Sequence, residues 1–146
     1  DKGDKVEDIY HAAERLHKHG IEVGFFLQFG YPGEAWEDVQ KTLKMVRERA
    51  AEEIGISVAY AQPGTKVCER VKMELGEKQN WVDSDDLAML YHGPFPQEFY
   101  RILHGRVHYE FRLRRAWRRR ELRGMVRTPY YLFGLARAEL KLRSMV

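Results

Sequence analysis

The chain has 146 residues, 44% hydrophobic and 32% charged, with a formal net charge of +3. That length suits about one domain with a modest core, and no apolar run approaches the length of a membrane span. Cys68 is the single cysteine, which excludes an internal disulfide and any cysteine-ligated cluster built by this chain alone, and fits a reducing, cytoplasmic compartment.

The chain opens Asp1-Lys2-Gly3-Asp4, with no initiator Met and no basic-then-apolar leader, which points to a piece cut from a longer polypeptide. Asp4, with Glu7 three residues on, predicts the N-cap of a first helix. Val6, Ile9, Ala13 and Leu16 recur at steps of three and four and give it one apolar stripe. Gly20 can take the left-handed stop after His17, Lys18 and His19. Ile21 to Phe29 is densely apolar rather than alternating, the pattern of a strand covered on both faces in a parallel sheet. Pro32 ends that strand.

A second helix carries Trp36, Val39, Leu43, Val46 and Ala50 at helical spacing, with acids at its start and bases toward its end. Ile54 to Tyr60 is the next strand, so strand, helix and strand form one right-handed crossover. Thr65 caps a third helix bearing Val67, Val71 and Leu75, which Gly76 ends. Residues 77–93 read as a connector with a short helix capped by Asp83, leaving Leu87, Leu90 and Tyr91 to pack inward. Pro96 opens a long helix whose Phe99, Leu103, Val107 and Phe111, then Arg114 and Trp117, track one face. Thr128-Pro129 breaks the pattern before a last amphipathic stretch over 130–146.

Both strands exit into glycine-containing loops: Gly30-Tyr31-Pro32-Gly33-Glu34 and Ala61-Gln62-Pro63-Gly64. Parallel neighbours would place these exits side by side at one rim, where α/β proteins bind ligands. The same residues also suit a plain tight turn, with Glu34 serving the helix dipole. Gln28 either points into a cavity to meet a ligand or finds a buried partner. Tyr60 either closes over a ligand or packs as core. His104 and His108 share a helical face at metal-compatible spacing, against a packing role. Asp83, Asp85 and Asp86 lack the glycine and distal glutamate of a calcium loop, so capping accounts for them better. Two strands cannot form a self-sufficient sheet, so the chain reads as the end of a larger α/β domain.

In this order and spacing, Gly24 to Glu34, the acidic helix start, and Ile54 to Thr65 resemble the last third of a radical S-adenosylmethionine core. The branch most similar is the cobalamin-binding one, which includes anaerobic magnesium-protoporphyrin monomethyl ester cyclases. Asp1-Lys2-Gly3 and Trp81-Val82-Asp83-Ser84-Asp85-Asp86-Leu87 extend the likeness, which covers roughly residues 1–112. The resemblance implies an α/β fold, the C-terminal portion of a partial parallel (β/α) TIM-type barrel followed by a helical extension. Residues 1–76 would belong to the barrel, 77–127 to the helical extension and 128–146 to an amphipathic end. Gly30 and Glu34 would match the family's glycine-x-x-x-glutamate signature after the fifth strand, although Phe26 stands where a glycine is frequent. Gln28, Gly30, Pro32, Gly33, Glu34, Tyr60, Ala61, Gln62, Pro63 and Gly64 would line the cofactor pocket. The implied cofactors are S-adenosylmethionine, a [4Fe-4S] cluster and cobalamin, the latter two bound mainly by upstream polypeptide because the C-x-x-x-C-x-x-C motif is absent. The implied partners are the remainder of the parent polypeptide and a small-molecule substrate.

The arginine cluster lies outside that resemblance. Residues 1–90 hold 12 basic and 18 acidic residues, a net −6, whereas residues 91–146 hold 13 and 4, a net +9. Arg112, Arg114, Arg115, Arg118, Arg119, Arg120, Arg123 and Arg127 precede Tyr130, Tyr131, Leu132 and Phe133. Three readings compete: a solvated tail that packs on acidic patches, a module for an anionic membrane surface, and, ranked last, nucleic-acid contact. A different α/β barrel enzyme binding phosphate at the same rim is a further possibility.

Overall fold

The computed structural model describes residues 5–48, 51–61, 63–75 and 91–146. In chain order they form α1 (Val6–Lys18), β1 (Gly24–Phe29), α2 (Trp36–Glu48), β2 (Glu53–Val58), α3 (Lys66–Leu75), α4 (Gln97–Arg118), α5 (Leu122–Val126) and α6 (Thr128–Arg143). The fold is α/β and mostly helical, with a parallel two-stranded sheet among the described residues. The connector residues 76–90, with the expected Asp83 cap and the Trp81–Leu87 segment, lie outside the described residues, as does Asp4.

Helix α1 starts one residue later than the Asp4 cap predicts. Lys5 is its N-cap, and the Lys5 amide donates to the Asp8 carboxylate at 2.9 Å, so Asp8 rather than Glu7 closes the turn. Its other end follows the sequence. Gly20 sits at φ 71°, its amide reaches the His17 carbonyl, and the Ile21 amide reaches the Leu16 carbonyl, a Schellman stop. Of the α1 stripe only Ala13 is buried; Val6, Ile9 and Leu16 are exposed.

β1 and β2 pair in register, Gly24 with Glu53 through Phe29 with Val58. Glu52 fixes the start of this ladder. Its amide donates to the Val23 carbonyl, its carboxylate accepts from the Val23 amide at 2.8 Å, and His17 lies 3.0 Å from the same oxygen. The expectation of two covered faces is corrected: β1 alternates strictly. Phe25, Leu27 and Phe29 are buried, whereas Gly24, Phe26 and Gln28 are exposed, Phe26 to 93%. The register places Gly55 and Ser57 beside Phe26 and Gln28 on that open face. The Phe26 ring lies across Gly55, 2.8 Å from where a Cβ would stand, so any side chain there must displace it.

The covered face carries the core. Phe25, Leu27 and Phe29 of β1 join Val39, Leu43 and Val46 of α2, and Phe99, Tyr100, Leu103, Val107 and Phe111 of α4. The stripe on α4 continues through buried Ala116; Arg114 and Trp117, which the spacing put on the same face, are exposed. Trp117 instead donates from its indole to the Thr128 hydroxyl at 3.1 Å, tying the end of α4 to the start of α6. Helix α6 packs along α4, with Leu142 fully buried in the main core. Close approach is permitted by Gly134, where a Cβ would stand 2.6 Å from the Tyr109 ring.

The arginine cluster divides into two groups. Arg118 donates to the Ala51 carbonyl, Arg119 pairs with Glu22, Arg115 with Glu121, and Arg114 with Glu110. These contacts tie the basic segment to the fold, and two of them reach back to residues 22 and 51 in the acidic half. Helix α4 ends in a second Schellman stop, with the Arg120 and Glu121 amides turned back to the Trp117 and Ala116 carbonyls. Here the left-handed residue is Arg120, at φ 53° and not a glycine.

Candidate functional site

The two strand exits lie together at the C-terminal rim of the sheet, as parallel pairing requires. The ladder extends one step past the strands, with the Ala59 amide donating to the Phe29 carbonyl at 2.6 Å. After Phe29 the chain makes a tight turn, closed by the Glu34 amide on the Tyr31 carbonyl at 2.9 Å. Pro32 and Gly33 occupy its two central positions and Gly33 has φ 92°, the left-handed geometry that glycine admits without strain. On the second exit, Gly64 has φ 80° and open space where a Cβ would stand. Thr65 then caps α3, accepting at its hydroxyl from the Cys68 amide at 3.2 Å.

Between the exits lies a cleft of about 240 Å³ lined by Gln28, Tyr31, Ala59, Tyr60, Thr65 and Val67. Gln28 and Tyr60, both singled out from sequence, therefore line one cleft. Tyr31 and Thr65 join them, and no local pattern marked either as a lining residue. Gln28 settles one alternative: its side chain is exposed on the open face rather than buried against a partner.

The remaining rim residues serve the loop itself. Gly30 is buried, its amide donates to the Glu34 carboxylate at 2.8 Å, and its carbonyl accepts from the Tyr91 hydroxyl at 2.7 Å. Both backbone groups of Gly30 are thereby occupied from within the protein. Pro32 is half-buried, Pro63 is exposed, and Ala61 is buried with Ala59, Val71 and Tyr91 in a second small core. Gln62 lies outside the described residues. Cys68 is half-buried against that second core, so it packs as a small hydrophobe.

The Glu34–Gly30 hydrogen bond braces the loop, and the electrostatics around this brace are unusual. Burial pushes the Glu34 carboxyl up, the Gly30 amide draws it back, and Asp38 adds repulsion, leaving it raised. Tyr100, beneath the loop, is pushed up by burial and then by the Glu34 charge. Its hydroxyl oxygen makes no geometrically complete hydrogen bond among the described residues.

Because Glu34 is raised, its contribution to stability is fully present below 4.5, the usual carboxylate value, and is lost as pH rises through the folded value. Glu34→Gln, permanently neutral and still able to accept from Gly30, should be no less stable than the parent at neutral pH. Glu34→Ala strands a buried amide and should cost about 1–3 kcal/mol. Urea denaturation of both variants checks this pair, and equal losses would show that the brace does not work through the Gly30 hydrogen bond.

His104 and His108 face each other on α4, with Nε2 atoms 3.1 Å apart. Burial, then His104 and Arg112, pull the His108 imidazole below its usual range. Among the described residues no group of three or more His, Cys, Asp or Glu side chains gathers as a metal centre.

No family model matches the chain. Over 66 residues it is 33% identical to an uncharacterized protein of Methanocaldococcus jannaschii, an alignment covering 45% of this chain and 20% of that protein. The chain thus spans about a fifth of the length of the curated relative it matches.

Proposed function

We propose that this chain is the C-terminal part of a cobalamin-dependent radical S-adenosylmethionine enzyme. In this reading β1 and β2 are the fifth and sixth strands of a partial parallel (β/α) barrel, residues 77–127 form the helical extension and residues 128–146 its amphipathic end. The observation that carries it is the open sheet face. Helices α2 and α4 cover Phe25, Leu27 and Phe29, while Phe26 and Gln28 stand bare and both strand exits meet at one rim. A barrel has this polarity: helices outside, and inside a face that needs further strands to close it. Each strand here also has an unpaired edge among the described residues, where further strands would add.

The polar lining of the rim cleft supports one of the implied groups. Gln28, Tyr60 and Thr65 offer an amide, a phenol and a hydroxyl around the cleft, and would hold S-adenosylmethionine. When bound, that group supplies a 5′-deoxyadenosyl or a methyl group. Gly30, Pro32, Gly33 and Glu34 hold the loop in shape, and Ala61, Pro63 and Gly64 shape the opposite wall. The [4Fe-4S] cluster does not fit this chain, whose one cysteine is packed on α3. Its thiolates, and the cobalamin-binding residues, would belong to the rest of the parent polypeptide.

The parent polypeptide, prepared anaerobically, should show the charge-transfer absorption of an iron–sulfur cluster and bind S-adenosylmethionine by titration calorimetry. Gln28→Ala should weaken that binding roughly tenfold, the loss of one or two polar contacts. A parent sequence without three clustered cysteines, or an affinity indifferent to Gln28, would remove the proposal.

A further inference from the structure

Helix α6 is apolar on two sides. Tyr131, Ala138 and Leu142 face the protein interior, whereas Tyr130, Leu132, Phe133 and Leu140 face out, Phe133 exposed to 69% and Leu140 to 73%. A helix that packed on one side only would carry polar residues on the other. On the neighbouring α5, Leu122 and Val126 are exposed as well. Arg120, Arg123, Arg127 and Arg137 in the same segment are exposed, and no ion pair is seen for them among the described residues. Between α4 and α6 opens a cleft of about 410 Å³, whose lining includes Arg101, Arg137 and Lys141 beside Tyr109, Tyr130 and Phe133. Lys141 is only loosely engaged, 3.9 Å from Glu98.

We propose that this face, α5, the outer side of α6 and the α4–α6 cleft, docks on the surface of an anionic lipid bilayer. Apolar and aromatic side chains would sink into the headgroup boundary while the arginines meet lipid phosphates. The cleft pairs cations with aromatic walls, a setting for one anionic headgroup. No helix among the described residues is long and apolar enough to cross a membrane, so the geometry is that of a helix lying on the surface. Charge complementarity selects this occupant. A second copy of the same surface would bring arginines against arginines, and nucleic acid would use the arginines but leave Phe133, Leu140, Leu122 and Val126 bare. The inference stands independently of the barrel reading.

The whole chain should be sedimented with phosphatidylcholine vesicles, with and without about 30% phosphatidylserine, at about 50 and 300 mM salt. Binding is expected to the anionic vesicles only and to weaken at the higher salt. Phe133→Ser with Leu140→Ser should reduce it at least tenfold, and neutralising Arg123, Arg127 and Arg137 to Gln should reduce it roughly fivefold per charge. All five positions are exposed, and circular dichroism verifies that each variant keeps its helices. Three results would overturn the proposal: no vesicle binding at either salt, vesicle binding indifferent to the serine pair, or tighter binding to duplex DNA that ignores the serine pair. The last would assign the arginines to nucleic acid instead.

Discussion

Phe99→Ala is expected to cost about 3–5 kcal/mol, a large part of the stability of a domain this size. Phe99 has 0% of its surface exposed and sits where α4, α2 and β1 converge. Its ring stacks on Phe95 at 4.2 Å and meets Trp36 and Tyr100 edge-on at 6.0 and 5.3 Å. Truncation removes the buried ring and strands three aromatic neighbours around a cavity that helices on two sides keep from collapsing. Phe26→Ala is the control. The same substitution on the bare sheet face should move stability by no more than about 0.5 kcal/mol in this chain. Urea midpoints of the two variants decide which face of β1 is core. Equal losses would mean that the open face is covered after all.

Glu110→Ala should cost roughly 3 kcal/mol, toward the low end for breaking a buried ion pair. Arg106 is the one buried charged residue among those described, reaching from α4 to Glu110 at 3.0 Å and to Glu139 of α6 at 2.9 Å. Arg47 of α2 closes on Glu110 at 2.6 Å, so the network joins three helices. Without Glu110, Arg106 keeps only Glu139, which is why the cost falls below that of a fully orphaned charge. Replacing Arg106 and Glu110 together by Met and Leu should recover most of the loss, because the desolvation of both charges disappears as well.

The same network makes the protein acid-sensitive. Burial pushes Glu110 up, but Arg47, Arg106 and Arg114 outweigh it and leave the carboxyl below its ordinary 4.5. Glu139 behaves alike, with burial outweighed by Arg106 and Arg143. A depressed carboxyl stabilises fully above 4.5 and loses that contribution as pH falls through its folded value. Thermal melts between about pH 3 and 7 should therefore fall on the acid side, and more shallowly in Glu110→Gln. Glu34 runs in the opposite sense, so its hydrogen bond to Gly30 adds nothing to this acid loss.

The elements were legible because their signals are local. Trp36, Val39, Leu43 and Val46 mark α2 by period, and Pro32-Gly33 marks the turn by backbone geometry. Which face of β1 is covered was not legible, because Phe26 is as apolar as Phe25 and Leu27 and hides the alternation. At the rim, the proximity of Gln28 and Tyr60 followed from parallel pairing alone. The Tyr91 hydroxyl on the Gly30 carbonyl spans 61 residues, and no periodicity carries that information. The arginine cluster read as one feature because sequence shows charge without partners. The fold sends Arg118 and Arg119 back to Ala51 and Glu22 and leaves Arg123 and Arg127 facing out.

Leu142 has one more consequence. It is wholly buried in the same core as Phe25 and Leu27, more than a hundred positions earlier in the chain. That core cannot close during synthesis while residue 142 is still inside the ribosome, so the strand pair and the first half of α4 must wait with apolar surface open. Contacts of such long sequence separation slow folding. Emergence of α6, rather than formation of the sheet, then sets when that surface can be covered.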